Sequence, residues 1–165
     1  MADRTDPLLR WAEPGDMTDI ARFFAAEIAR DASYVSHGEV QTGLSADGVN
    51  WSPDLQALMI EDFLDPGPDR QVAVAMGPDG VVGALVALFT TTDRVSYLTI
   101  EDLVVAPAVR SDGVGAALVD FAERAARDRD MHWAFLESGL HNEGAHRFFE
   151  RHGFNAMSKV FSKKL

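Results

Sequence analysis

The clearest chemistry in this chain lies at a strand-to-helix junction reading Val105-Ala106-Pro107-Ala108-Val109-Arg110-Ser111-Asp112-Gly113-Val114-Gly115-Ala116. Gly113 and Gly115 lack side chains, so their peptide N–H groups can approach an anion closely. They stand where a helix begins, and its unpaired N–H groups and positive dipole end favour a phosphate. Arg110 adds a charge-assisted donor at the mouth of the loop. A pyrophosphate suits this arrangement, although glycine at such a turn also serves geometry alone.

Two rival phosphate loops fit less well. A dinucleotide-binding turn wants a third small residue where Leu118 stands, and would pass from strand to glycine without Ala106 to Asp112; Glu137 does lie at a plausible distance for a ribose-binding acid. The nucleotide-triphosphatase loop requires Gly-Lys followed by Ser or Thr, which this segment lacks.

Just upstream, Ile100-Glu101-Asp102-Leu103-Val104-Val105 carries two acids inside a strand pattern. Alternation puts Tyr97, Thr99, Glu101 and Leu103 on one face and Asp102 on the other. A central strand seldom tolerates an unpaired acid, so Glu101 reads as a catalytic base in preference to a solvated strand carboxylate or an ion-pair partner. Asp102 reads as a weaker candidate for the base and as a contact for a cationic substrate. His132, His141, His146 and His152 lack metal-ligand spacing, and no metal is expected.

The elements that must position these groups follow from periodicity and turn chemistry. Leu8 to Ala12 reads as a strand, and Asp16 as the N-cap of a helix running on through Ile20, Phe23, Phe24 and Ile28 to about Arg30. Ser52-Pro53 starts a second helix, which Asp65-Pro66-Gly67-Pro68 stops. Gln71–Met76, Val81–Thr90 and Val95–Val105 form a meander around Gly77-Pro78-Asp79-Gly80 and Thr92-Asp93-Arg94. A helix over Gly113–Arg127, a strand over Met131–Glu137, a helix over Asn142–His152 and a last strand over Phe154–Phe161 complete a mixed α/β domain. Trp11, Trp51 and Trp133 read as core or pocket wall. Residues 31–50 show only weak periodicity.

Composition narrows the function. The 165 residues suit one domain. With no cysteine, disulfides, Cys-ligated zinc and thiol catalysis are excluded. A formal charge of −11 disfavours nucleic acid and attracts small cations, although solubility alone also explains it. Met1 to Pro7 has no signal-peptide pattern and Val81–Phe89 is too short to span a bilayer, so a cytoplasmic location without membrane association is expected.

The junction resembles the acetyl-CoA signature of the GNAT superfamily of N-acetyltransferases, V-x-x-x-x-R-x-x-G-x-G/A, with Val105 through Ala116 in register. A second family signature, N-x-x-A-x-x-F-Y-x-x-x-G-F, is similar to Asn142 through Phe154. The likeness runs from about Gln71 to Leu165, is fair over Leu8 to Arg30, and is absent over Asp31 to Leu64, where such proteins build the acceptor pocket.

The resemblance implies one domain over 1–165 with a mostly antiparallel sheet, flanking helices and a splayed strand pair that holds CoA. It implies transfer of acetyl from acetyl-CoA, with no metal, to a primary amine by direct attack in a ternary complex. The backbone of Leu103, Val104 and Val105 would hold the pantetheine arm. Arg110, Ser111, Asp112, Gly113, Val114, Gly115 and Ala116 would hold the diphosphate, and Asn142 would face the arm from the other side. Glu101 falls in register with the base of spermidine/spermine acetyltransferases. The family's usual tyrosine, a proton donor to the departing thiolate, is Phe149 here; Tyr97, Ser158 or a water are its conceivable substitutes. A small cationic amine is the favoured acceptor. A protein N-terminus or lysine, a CoA-binding module with little turnover, and a homodimer all stay open.

Overall fold

The computed structural model describes residues 7–165. The amino-terminal stretch read above for a signal peptide lies, but for Pro7, outside the described residues. Five strands form one sheet in sequential order: β1 (Leu8–Trp11), β2 (Arg70–Gly77), β3 (Gly80–Thr91), β4 (Ser96–Val105) and β5 (Trp133–Leu136). The first four are antiparallel neighbours, and β5 runs parallel to β4. The parallel pair needs a crossover, which α4 (Val114–Arg127) supplies.

The sheet is buried on both faces, which explains the nearly unbroken apolar runs of β2 and β3. On one face α1 (Met17–Ile28) and α3 (Leu55–Leu64) bring Ile20, Phe24, Met59 and Phe63 onto Val72, Val74, Ala84, Val86 and Val104. On the other, α4 lays Val114, Leu118, Val119 and Ala122 on Ala73, Leu85, Leu98 and Ile100. Gly83 lets α4 approach this closely, because a Cβ there would lie 3.0 Å from Val114 and 3.1 Å from Leu118. Trp11 belongs to this core, packed between Phe89 and Phe121.

Four expectations are corrected. Asp16 does not cap α1 with its side chain: the carboxylate is taken by the Arg10 guanidinium, at 2.6 and 3.0 Å, and by the Glu13 N–H. Arg10 holds the Asp16 carboxyl down at about 2 and ties β1 to the start of α1. The second helix begins at Leu55 instead of Pro53, after Ser52 accepts a bond from the Asp54 N–H. Within the weakly periodic stretch a short helix, α2 (His37–Gln41), is stabilised by a reciprocal Ser36/Glu39 capping box.

The fourth correction is the largest. The last strand expected over Phe154–Phe161 does not form, and the chain after α5 (Glu143–Arg151) carries no ladder. A strand exists only through its partner, and no strand of this chain pairs with that segment among the described residues. Phe154 packs on Phe149 at 5.6 Å, and residues 155–165 are exposed.

Candidate active site

Strand β4 changes character at its centre. Its ladder with β3 runs Ala87↔Ile100 and then Val86↔Asp102, leaving Glu101 as an extra, bulged residue. A one-residue bulge reverses the alternation that follows it. Leu98 and Ile100 therefore join the α4 side, as do Leu103 and Val105, whereas Val104 joins the α1/α3 side. The unbroken alternation expected from sequence fails here. Asp102 comes to the same side as Val104, and both acids of the bulge line one cleft.

The neighbouring strand leaves β4 at the same place. Pairing with β5 covers Tyr97↔Trp133 through Ile100↔Leu136, and β4 then continues to Val105 without a β5 partner. This is the splayed pair expected above. It opens a cleft of about 1410 Å³ that runs between α2, α3, the β4 bulge and the start of α5.

Of the expected CoA-binding residues, Leu103, Val104, Val105, Arg110, Asn142 and Phe149 line this cleft. Arg110 is held by bonds from its Nε to Val105 O (3.1 Å) and from Nη2 to the Tyr34 hydroxyl (3.4 Å). Ser111, Asp112, Gly113, Val114, Gly115 and Ala116 are outside the cleft lining and form the helix entrance directly after Arg110. Ser111 and Gly113 both have left-handed backbone, with φ of 72° and 86°. Gly113 is the N-cap of α4, and a Cβ there would meet nothing within 4 Å. The entrance is exposed and unobstructed by its own N-cap residue, which fits an anionic diphosphate.

The two loop glycines separate in role. Gly113 supplies the left-handed turn, whereas a Cβ at Gly115 would touch Phe148 at 3.4 Å and Val105 at 3.6 Å. Val114 turns its side chain into the core, where it is 3% exposed, and can offer a ligand only its backbone. Asn142 caps α5, its side-chain oxygen accepting from the Ala145 N–H at 3.3 Å. Phe149 packs against Phe148 and Phe154. Neither named substitute for its missing hydroxyl lines the cleft: Tyr97 packs edge-on to Phe135, and Ser158 is on the exposed C-terminal segment. The wall does hold one buried hydroxyl, Ser138 Oγ, with no hydrogen-bond partner among the described residues.

The other end of the cleft is acidic. Among the described residues, nine carboxylate residues line the whole cleft against two arginines, Arg70 and Arg110, and no lysine. Arg70 is the cation that sequence reasoning missed, for it is 31 residues from its partner Glu101. Its Nε donates to Glu101 Oε2 at 2.6 Å and its Nη2 to Asp62 Oδ2 at 2.8 Å. Glu101 is thus an ion-pair partner. Asp102 is different: burial, then the nearby Glu39 carboxylate, raises its carboxyl to about 7 despite the opposing pull of Arg70. His37 Nδ1 stands 2.5 Å from Glu137 Oε1 without hydrogen-bond geometry. The other side of the cleft closes on Gly139, where a Cβ would run into Ser33 O.

Of the remaining histidines, His146 and His152 are structural, with His146 Nε2 3.0 Å from Gly139 O and His152 Nδ1 2.8 Å from Phe148 O, whereas His141 lines the cleft and His132 is exposed. No group of three metal-ligating side chains occurs among the described residues. Nor, among them, is any helix long and apolar enough to cross a membrane. Trp51 lines the cleft, but Trp133 is 55% exposed, against the expectation of core or pocket wall.

A family model described as the acetyltransferase (GNAT) family matches residues 37–154, which include the bulge, the loop and α5. The chain belongs to the GNAT family. It is similar to the uncharacterized N-acetyltransferase YhdJ of Bacillus subtilis (strain 168), with 38% identity over 86 residues, covering 48% of this chain and 61% of that protein. The matched region thus spans less than two thirds of that relative's length. Its fold is similar to the crystal structure of a transcriptional regulator from Bacillus halodurans C-125, with TM-score 0.70, 22% identity, and coverage of 96% of this chain and 99% of the other. It is also similar to a ribosomal-protein-alanine N-acetyltransferase from Brucella melitensis biovar Abortus 2308, with TM-score 0.69, 12% identity and coverage of 96% and 98%.

Two outcomes follow from the site's geometry. Gly113→Ala places a Cβ on left-handed backbone, costing about 1–2 kcal/mol; calorimetry should show weaker CoA binding together with a lower melting temperature, and an unchanged affinity would remove the turn from the CoA site. Asp102→Asn removes a carboxyl raised from 3.8 to about 7. Burying its charge costs stability as pH rises from about 4 through 7, so the variant should melt higher than the parent above pH 7 and lose that advantage below pH 4. A uniform difference across the range would contradict the shift.

Proposed function

We propose that residues 1–165 act as one catalytic unit that transfers an acetyl group from acetyl-CoA to a primary amine of a small cationic molecule. One observation carries this reading: a single cleft runs from Arg110, beside the glycine-capped helix entrance, to a carboxylate-rich end at the β4 bulge. The first end suits an anionic carrier and the second a cationic acceptor. Acetyl-CoA would supply a thioester carbonyl, with Leu103, Val104 and Val105 beside the arm, Arg110 and the backbone of Ser111 to Ala116 at the diphosphate, and Asn142 and Phe149 opposite.

The acceptor must lose a proton. An alkylammonium of pKa ~10.4 is neutral in only about one molecule in 2,500 at pH 7, a penalty of roughly 4.6 kcal/mol. As the amine nitrogen bonds to the acetyl carbon and the carbon–sulfur bond breaks, a carboxylate collects that proton. Glu101 is the proposed acceptor of it, oriented by Arg70. The ion pair already occupies one oxygen of that carboxylate. Asp102 is therefore a second reading, favoured by a carboxyl held near 7, where a general base works best. Phe149 has no hydroxyl with which to protonate the departing thiolate; with a thiol pKa of ~8.5 the thiolate can leave without one.

A protein N-terminus or lysine is the alternative acceptor. The acidic lining favours a small polycation over a peptide amine, because it offers several contacts to dispersed positive charge.

An acceptor screen that follows free CoA tests the reading. Polyamine-like and aminoglycoside-like amines should turn over faster than amino acids or peptides. Tight CoA binding with no turnover on any amine would leave a binding module and end the enzymatic proposal. Glu101→Gln should keep CoA affinity and lower kcat roughly a hundredfold or more. If Asp102→Asn does so instead, and abolishes a limb near pH 7 in kcat/KM, the base is Asp102. Unchanged pH–rate profiles in both variants would exclude either carboxylate.

A further inference from the structure

One hydroxyl in the cleft wall serves no contact of the fold. Ser138 follows the end of β5, and its Oγ is buried with no hydrogen-bond partner among the described residues. Other hydroxyls of the same wall are engaged: Ser36 donates to Glu39 Oε2 at 2.7 Å, Thr42 donates to Gly38 O at 2.9 Å, and Tyr34 accepts from Arg110. No other buried hydroxyl among the described residues is left unpaired. A buried donor without an acceptor destabilises a fold unless a ligand supplies the acceptor.

The register of the sheet says which part of a ligand Ser138 meets. Strands β4 and β5 run parallel, and their last pair is Ile100↔Leu136. Counting on by two residues in each strand brings Ser138 level with Asp102, at the bulge. Val104 and Val105 lie further along, towards Arg110. The carboxylates proposed to collect the amine proton are Glu101 and Asp102, so the thioester must lie at their level. Ser138 therefore stands across the gap from the reacting end of the arm, and not from its amides.

The backbone on both sides of Ser138 is fixed. His37 meets Glu137, and Gly139 is pressed beneath residues 33–35, where a Cβ would lie 3.0 Å from Val35 O. Gly139 O in turn accepts from the Asn142 N–H at 2.9 Å and lies 3.0 Å from His146 Nε2. A donor held in this way is oriented before the ligand arrives, as stabilising a charge at the moment it develops requires.

We propose that Ser138 is a catalytic residue whose hydroxyl donates a hydrogen bond to the sulfur of CoA as the thioester breaks. The inference rests on the acetyl-transfer reading. As the amine nitrogen bonds to the acetyl carbon, the carbon–sulfur electron pair passes to sulfur, and the hydroxyl meets the negative charge there. An alcohol is a weaker acid than a thiol, so Ser138 keeps its proton and the thiolate takes one from water afterwards. The hydroxyl that Phe149 lacks is thus supplied from the end of β5.

Ser138→Ala separates this role from a structural one. Removing an unpaired buried hydroxyl should leave the melting temperature of the free protein unchanged or raised, and calorimetry should give an unchanged CoA affinity. With the fastest amine of the acceptor screen, kcat should fall roughly ten- to a hundredfold. Phe149→Tyr should then recover more turnover in that background than it adds to the parent. Bound CoA offers a second readout that needs no acceptor. Followed by the ultraviolet absorbance of the thiolate, its thiol should ionise about one pH unit higher in Ser138→Ala than in the parent, a tenfold shift. Equal kcat with equal thiol titration, or a fall in melting temperature that accounts for the lost turnover, would overturn the role of Ser138 and leave the acetyl-transfer reading standing. Failure of both proteins to bind CoA would overturn that reading, and this inference with it.

Discussion

The parting of β4 from β5 after Ile100 is the constraint on which the site depends. In a fully paired sheet the backbone of residues 101–105 would be spent on a neighbouring strand. Here β5 stops at Leu136 and the chain turns through Gly139 into α5. The bulge at Glu101 falls at the same level and turns Asp102 to the side opposite α4. One local irregularity therefore opens a groove and aims two carboxylates at it. Both halves of the core stay intact beneath: Leu98 and Ile100 remain under α4, and Val104 remains under α1 and α3.

Charge is then divided along that groove. Arg70 neutralises Glu101 and Asp62 in part, yet the surrounding acids remain in excess. Asp102, held among them, keeps its proton to about 7. A bound cation would relieve this repulsion, so acceptor binding and Asp102 deprotonation are linked: each favours the other. Near the opposite end, Arg110 donates to the Tyr34 hydroxyl at 3.4 Å and so joins the start of the glycine loop to the segment between α1 and α2.

Much of this was legible in the sequence, for stated reasons. The hairpins β2–β3–β4 follow from apolar runs separated by Gly77-Pro78-Asp79-Gly80 and Thr92-Asp93-Arg94, which are local signals. The glycine-capped start of α4 was equally local. The family emerged from two motifs whose residues are contiguous. What was not legible depends on distant partners. The bulge at Glu101 is a property of the β3–β4 ladder, and a strict alternation put Asp102 on the wrong side. Arg70 comes to Glu101 only because β2 and β4 flank β3. Helix α2 had its capping box, Ser36 to Glu39, in plain view, but the glycines around it masked so short an element. Phe154–Phe161 has the composition of a strand and lacks a partner strand among the described residues; pattern alone cannot supply one.

The central claim is that the peptide N–H groups at the start of α4, with Arg110 beside them, bind the diphosphate of CoA. Thermal melting in the presence of ligands tests it most directly. CoA at about a hundredfold its Kd stabilises the fold by about 2.7 kcal/mol, a rise of roughly 5 to 10 °C for a chain of this length. The account predicts that rise for CoA, little for pantetheine without its phosphates, and none for NAD. A melting temperature indifferent to saturating CoA would contradict it.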